Sequence, residues 1–153
     1  MPYRDEKWGL SLAAVLIFFA AANILVRADF WMTVQKMDVL DTKAGEEILI
    51  DYERTLRRPF TADWRVKIRR VTDGGLEWVC ATPVSREDYD AKSTIPQPVT
   101  LRWFAWTDER CYDLGPGQYV ISATWEINPD GFATLFFRRT VTKTDTFTIG
   151  GAE

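Results

Sequence analysis

The sequence predicts an all-β fold, an antiparallel sandwich of about seven or eight strands, preceded by one N-terminal transmembrane α-helix. Three observations carry this reading. The run from Gly9 to Val26 is eighteen residues without a charge. After Trp31 the pattern changes to short runs in which apolar and polar residues alternate between turn residues, the period of a half-buried strand. No later stretch shows a 3.6-residue period, so helix should be scarce there. The expected division is residues 1–7 as a cytoplasmic N-terminus, 8–31 as the spanning helix and 32–153 as one β domain, the size of an ordinary single domain.

Within the first element, "WGLSLAAVLIFFAAANILVRADFW", only Ser11 and Asn23 are distinctly polar between Gly9 and Val26. Eighteen residues at about 1.5 Å each make a helix of roughly 27 Å, near the thickness of a bilayer's hydrocarbon layer. Trp8 at one end and Phe30 and Trp31 at the other are of the type that settles at the headgroup level, so they are candidate interface anchors. Two other readings stay open. A cleavable signal peptide would be cut near Ala22 or Ala28, although the apolar run continues through Ile24, Leu25 and Val26. A buried helix of a soluble domain would normally carry a polar face. Arg4 and Lys7 precede the run and only Arg27 follows closely. The excess of positive charge on the N-terminal side keeps that side in the cytoplasm and places the β domain in the periplasm or outside the cell. The expected location is therefore the cell inner membrane, with the lipid bilayer as partner through residues 8–31.

Strands are expected near 32–40, 46–55, 63–71, 76–81, 99–106, 118–127, 133–141 and 144–149. The strongest is "QYVISATWEI", in which Tyr119, Ile121, Ala123, Trp125 and Ile127 share one face. "NPDG" at 128–131 follows it and predicts a hairpin, with Pro129 presetting the turn and Gly131 accepting positive φ. In "DWRVKIRRV", Trp64, Val66 and Ile68 alternate with Arg65, Lys67 and Arg69, and "DGG" at 73–75 turns the chain into "LEWVC".

The stretch "LGPGQYVISATW" at 114–125 resembles the start of the penultimate long strand in immunoglobulin-like and fibronectin-III-like domains, where a Leu, a Pro-Gly turn and a Tyr precede an alternating strand. Leu114, Pro116, Gly117 and Tyr119 match that pattern, and Trp64 stands where those domains carry a core Trp on the third strand. The resemblance implies a two-sheet sandwich in which the Tyr119 hydroxyl ties back to the preceding loop. It implies nothing about ligand. The cysteines depart from the antibody pattern, since Cys80 ends the fourth run and Cys111 lies in the loop before "LGPGQY". The order of parts, a basic start, one spanning helix and a sandwich with two cysteines, also looks like small membrane-anchored proteins encoded by phages and prophages.

In a domain placed outside the cytoplasm, Cys80 and Cys111, thirty-one residues apart, most economically form a disulfide that fastens an edge strand to a loop. Two free thiols would follow from a reversed topology. A zinc pair would need carboxylate partners that such a site seldom uses alone.

There is no histidine, which removes Ser-His-Asp and Cys-His active sites and the usual mixed zinc sites. Glu87, Asp88 and Asp90 do not have EF-hand spacing, Ser93 beside Lys92 is adjacency without dyad geometry, and no Gly-rich phosphate loop is present. The chain is expected to be no enzyme and to need no cofactor or metal. A net charge of −3 argues against nucleic acid as a partner.

The basic residues are more informative. Arg65, Lys67 and Arg69 should share an outer sheet face, extended by Arg57, Arg58, Arg138 and Arg139, with Asp51 and Glu53 on the other sheet, so that the domain is electrically two-sided. In "TLRWFAWTDE", Trp103 and Trp106 cannot both face the core of a regular strand. Trp103 is expected inside and Trp106 near the surface, where it would join the candidate interaction face. The function expected is a membrane-anchored, extracytoplasmic, non-catalytic module contacting an unknown protein or an anionic envelope polymer. A structural subunit of a membrane or virion assembly, packed through Ala13, Ala20 and Ala21, is the alternative. A cleaved secreted binding domain and an envelope-modifying enzyme are the remaining readings.

Overall fold

The computed structural model describes residues 5–90, 92, 93, 95, 97–129 and 138–151. Its elements, in chain order, are helix α1 (Asp5–Leu25), a 3-10 turn (Ala28–Phe30), strands β1 (Met32–Val39), β2 (Thr42–Lys43), β3 (Leu49–Leu56), β4 (Phe60–Thr72), β5 (Gly75–Ala81), β6 (Ser85–Tyr89) and β7 (Val99–Thr100), helix α2 (Leu101–Phe104), a second 3-10 turn (Glu109–Cys111), and strands β8 (Gly117–Asn128) and β9 (Arg139–Gly150).

The N-terminal expectation is corrected. Among the described residues no helix is long and apolar enough to cross a membrane. Helix α1 runs from Asp5 to Leu25 and takes Asp5, Glu6 and Lys7 into its first turns. Leu12, Leu16, Ile17 and Phe18 are exposed along it. Nor is 8–31 one element. The helix ends at Leu25, a 3-10 turn follows, and Trp31 leaves the helical path altogether. Trp31 is only 5% exposed and belongs to the core of the β domain, so its ring meets protein where a headgroup contact was expected. Phe30 stays exposed beneath the Arg58 guanidinium, 4.2 Å from its ring centre. The side chain of Trp8 lies outside the described residues.

The β part is two sheets around one core. The smaller has the order β1-β3-β7, and the larger β2-β9-β8-β4-β5, with β6 also paired to β4. Both β5 and β6 can use the same edge because β4 is thirteen residues long: β6 takes Phe60 to Trp64 and β5 takes Lys67 to Thr72. The sheets are antiparallel except for one short parallel pair, Thr42 to Ile149 and Lys43 to Gly150, so the larger sheet is mixed.

The alternation along β8 explains its central place. Tyr119, Ile121, Ala123, Trp125 and Ile127 are all buried, and in register on β4 they meet Val66 (with Ala123), Ile68 (with Ile121) and Trp64 (with Trp125). Across the core, Trp125 stacks on Tyr52 of β3 at 6.2 Å between ring centres. Phe104 of α2 closes this group, 5.5 Å from Tyr52 and 5.6 Å from Trp64. Side chains fasten the two sheets at their edges: Val39 N–H donates to the Asp145 carboxylate and Thr148 N–H to that of Asp41, both at 2.6 Å. At the start of β8 the Tyr119 hydroxyl donates to the Gly115 carbonyl at 2.8 Å, pinning the entering loop.

Cys80 and Cys111 form a disulfide, with Cα atoms 5.6 Å apart. Both are fully buried. As the sequence suggests, the bridge joins β5 to the second 3-10 turn and does not cross between sheet centres.

Three expectations fail locally. The run at 99–106 is a two-residue strand followed by one helical turn, because Thr100 caps that turn by accepting the Trp103 N–H at 3.1 Å. The charged segment at 85–89, absent from the expected strands, is strand β6. The break expected between 141 and 144 is absent, because Arg139–Gly150 is one continuous strand, β9. Most of the expected "NPDG" hairpin and of the strand at 133–141 falls on 130–137, outside the described residues.

Candidate functional sites on the sheet face and in an aromatic cleft

Alternation on β4 sends Arg65, Lys67 and Arg69 to the outer face of the larger sheet, opposite buried Val66 and Ile68. On one flank they meet Thr124, Ser122 and Val120 of β8 in register. Beyond β8, β9 presents Thr140, Thr142, Thr144, Thr146 and Thr148, every second residue and all exposed. The hydroxyl pairs Ser122–Thr144 and Thr124–Thr142 meet at 3.2 Å. On the other flank Lys67 faces Ala81, Arg69 faces Trp78 and Val71 faces Leu76. Trp78 is 57% exposed and Leu76 half exposed. The stripe thus runs between a hydroxyl ladder and an exposed apolar border.

Its charge is uncompensated. Among the described residues none of the three cations has an ion-pair partner, while the nearest outward acids are engaged elsewhere: Asp63 by Arg86 at 2.8 Å and Glu126 by Arg138 at 3.5 Å. The smaller sheet carries the acids, as expected, but not alone. Lys36 of β1 bonds Asp51 and lies 3.7 Å from Asp38, and it faces Glu53 in register. The Asp51 hydrogen bond raises the Lys36 pKa above its usual value. Arg139 does not extend the stripe; it donates to the Val26 carbonyl at 2.8 Å.

Trp106 is not on this face. It lines a cleft of about 300 Å³ together with Trp64, Tyr89, Trp103, Arg54 and Glu87. Trp64 faces inward from β4, on the opposite side from Arg65, so the expected grouping of Trp106 with the cationic stripe is corrected to two separate surfaces. Trp103, expected inside, is 44% exposed, and Trp106 is 62% exposed. The helical turn accounts for both: it turns Leu101, Phe104 and Ala105 inward and leaves the two indoles outside.

No protein-family model matches this sequence, and no curated protein or solved structure matches it.

Strand β6 builds one wall of the cleft and is held by a few specific contacts. Tyr89 stacks on Phe60 at 5.0 Å, Asp88 accepts from the Thr61 hydroxyl at 2.9 Å, and Arg86 makes a two-pronged bond to Asp63 at 2.8 and 2.9 Å. The hydrogen bonds from Arg86 hold the Asp63 carboxyl below its ordinary value of 3.8. A carboxyl with a lowered folded pKa stabilises the fold above its unfolded pKa, and that contribution is lost as pH falls through the folded value. Asp63→Asn should therefore lower the thermal midpoint slightly at pH 7, by an amount that persists down to about pH 4 and closes below it. Thermal unfolding of both proteins across pH 2–7 checks this; a gap that widens in acid would refute it.

Arg54 lies over the Tyr89 ring at 5.0 Å. Burial pushes the Tyr52 phenol up to about 12, against the opposing pull of Arg54. Two donors of the lining, Trp64 Nε1 and Arg54 Nε, are buried without a hydrogen-bond partner among the described residues.

Sequence reasoning missed the cleft because its walls come from four separate segments. The one legible signal was the pair of tryptophans at 103 and 106. Among the described residues no group of three or more metal-ligating side chains is placed to hold an ion.

Proposed function

We propose that the β domain is a non-catalytic interaction module that docks an acidic protein surface on the outer face of its larger sheet. One observation carries this: Arg65, Lys67 and Arg69 stand in a row without ion-pair partners among the described residues, beside exposed Trp78, which faces Arg69. Arg and Trp are the residue types that dominate binding energy at interfaces, and unpaired surface cations steer an acidic partner toward its site. The resemblance to immunoglobulin-like domains fits such a role and is supported by the two-sheet strand order and the Tyr119–Gly115 hydrogen bond. A setting outside the cytoplasm is supported by the buried Cys80–Cys111 bridge, since disulfides persist in oxidising compartments.

The test is co-purification from the cells that make the protein, with the wild-type chain compared with a variant carrying Arg65→Glu, Lys67→Glu and Arg69→Glu. The partner should be retained at low salt by the wild type, weakened above about 0.5 M salt, and lost by the variant. Equal recovery by the two proteins would remove the stripe from the binding role.

A second reading is favoured by a different observation, the exposed Leu12, Leu16, Ile17 and Phe18 of α1. A helix with so much apolar surface is usually covered, as in a subunit of a larger assembly. Recovery of the full chain as a monomer with no bound protein would argue against it.

A further inference from the structure

We propose that the aromatic cleft between α2 and β6 is a binding site for a neutral carbohydrate, one or two sugar rings in size. It is separate from the sheet face above and does not depend on it.

Single exposed tryptophans are ordinary. Here two exposed indoles, Trp103 and Trp106, converge with Trp64 and Tyr89 on one concavity. The fold does not require them. The buried side of that turn is Leu101, Phe104 and Ala105, and beyond it Trp103 reaches only Phe104, at 6.4 Å between ring centres, so polar residues at 103 and 106 would leave that buried side intact and expose less apolar surface.

The polar groups among the aromatic walls select the ligand class. Arg54 brings its guanidinium to the cleft wall; its Nε and the Trp64 Nε1 are buried behind that wall, without a hydrogen-bond partner among the described residues. Glu87 and Asp88 offer acceptor oxygens in the same cleft, each with one oxygen already engaged, by Ser85 and by Thr61. An anion would meet these two carboxylates, and a cation would meet Arg54. A purely apolar ligand would strip water from all three charges without replacing it. A sugar ring avoids each conflict. Its hydroxyls both donate and accept, and its C–H face carries the slight positive charge that suits the negative face of an indole. The cleft's volume of about 300 Å³ lies at the small end of ligand sites, enough for the end or a short segment of an oligosaccharide.

The test uses the full chain in a detergent whose headgroup carries no sugar, applied to an array of neutral, uronic-acid-bearing and sialylated glycans. The best neutral ligand is then titrated by tryptophan fluorescence, with tetramethylammonium as a competing cation. The expected result is saturable binding to a neutral glycan, insensitive to salt between about 0.05 and 0.5 M. Trp103→Ala and Trp106→Ala should each weaken it by about tenfold, the scale of one lost stacking contact, with thermal midpoints unchanged. Trp78→Ala and the triple charge reversal on β4 should bind as the wild type does, which separates failure of this site from failure of the sheet face. The proposal is overturned if no neutral glycan on the array binds, if only acidic glycans bind in a salt-sensitive way, if tetramethylammonium binds in the cleft in their place, or if both tryptophan variants bind normally.

Discussion

Removing the Cys80–Cys111 bridge by the double substitution to alanine is expected to lower stability by about 3–4 kcal/mol, the chain-entropy value for a loop of this length. For a domain of this size that is a fall of roughly 10–15 °C in thermal midpoint. The enclosed loop is not featureless chain. It carries β6, β7 and α2, and with them every aromatic wall of the cleft except Trp64. Among the described residues the loop is held to the larger sheet by β6 on the first five residues of β4 and by Thr82 on Val66, and to the smaller sheet by one two-residue strand, β7 on β3. The bridge therefore limits the unfolded freedom of the least regular third of the domain, and its loss should loosen the cleft before the β4-β8-β9 centre. Both sulfur positions are fully buried, so serine in place of alanine should cost more, because a hydroxyl there would lack a partner. Urea unfolding of the wild type, the alanine pair and the serine pair measures this. In parallel, alkylation under denaturing conditions without reductant should label no thiol on the wild-type chain. Labelling of both cysteines would show that the bridge is absent from the protein, and an alanine pair as stable as the wild type would show that the bridge contributes nothing.

What could be read from the sequence divides along a physical line. Strands β1, β3, β4 and β8 were legible because each buries one face, so burial imprints a two-residue period on the sequence; β5, which buries only Cys80, was legible from the "DGG" turn that precedes it. The Arg65, Lys67 and Arg69 stripe was legible for the same reason, as the outward half of that period. Strand β6 was not legible, since its residues are Ser85, Arg86, Glu87, Asp88 and Tyr89. Only Tyr89 is buried, and the strand is held by ion-pair, hydroxyl and ring contacts to β4 that exist only after folding. The N-terminal element shows the reverse error. Composition alone extended one apolar segment as far as Trp31, whereas Trp31 is claimed by the core of the next domain. Hydrophobicity states that a ring will be covered; it does not state by what.

The stretch at 101–106 shows how two periods can compete in the same letters, and it carries the second large prediction. Read as a strand, Leu101, Trp103 and Ala105 would share one face and Arg102, Phe104 and Trp106 the other. Read as a helical turn, Leu101, Phe104 and Ala105 share a face at spacings of three and four, and these are the three buried residues. The aromatic content favoured the first reading, and the Thr100 cap decides for the second. Phe104→Ala should then cost about 3–5 kcal/mol, because the ring is 2% exposed and lies against Tyr52, Trp64 and Trp125 at 5.5, 5.6 and 6.3 Å. Trp106→Ala, two residues along, should change stability by no more than about 0.5 kcal/mol. The contrast is what separates the two readings, since a strand would make 104 and 106 behave alike. Paired denaturant unfolding curves decide it. A Trp106 variant as unstable as the Phe104 variant would refute the helical turn. It would also remove the exposed indoles on which the carbohydrate site depends.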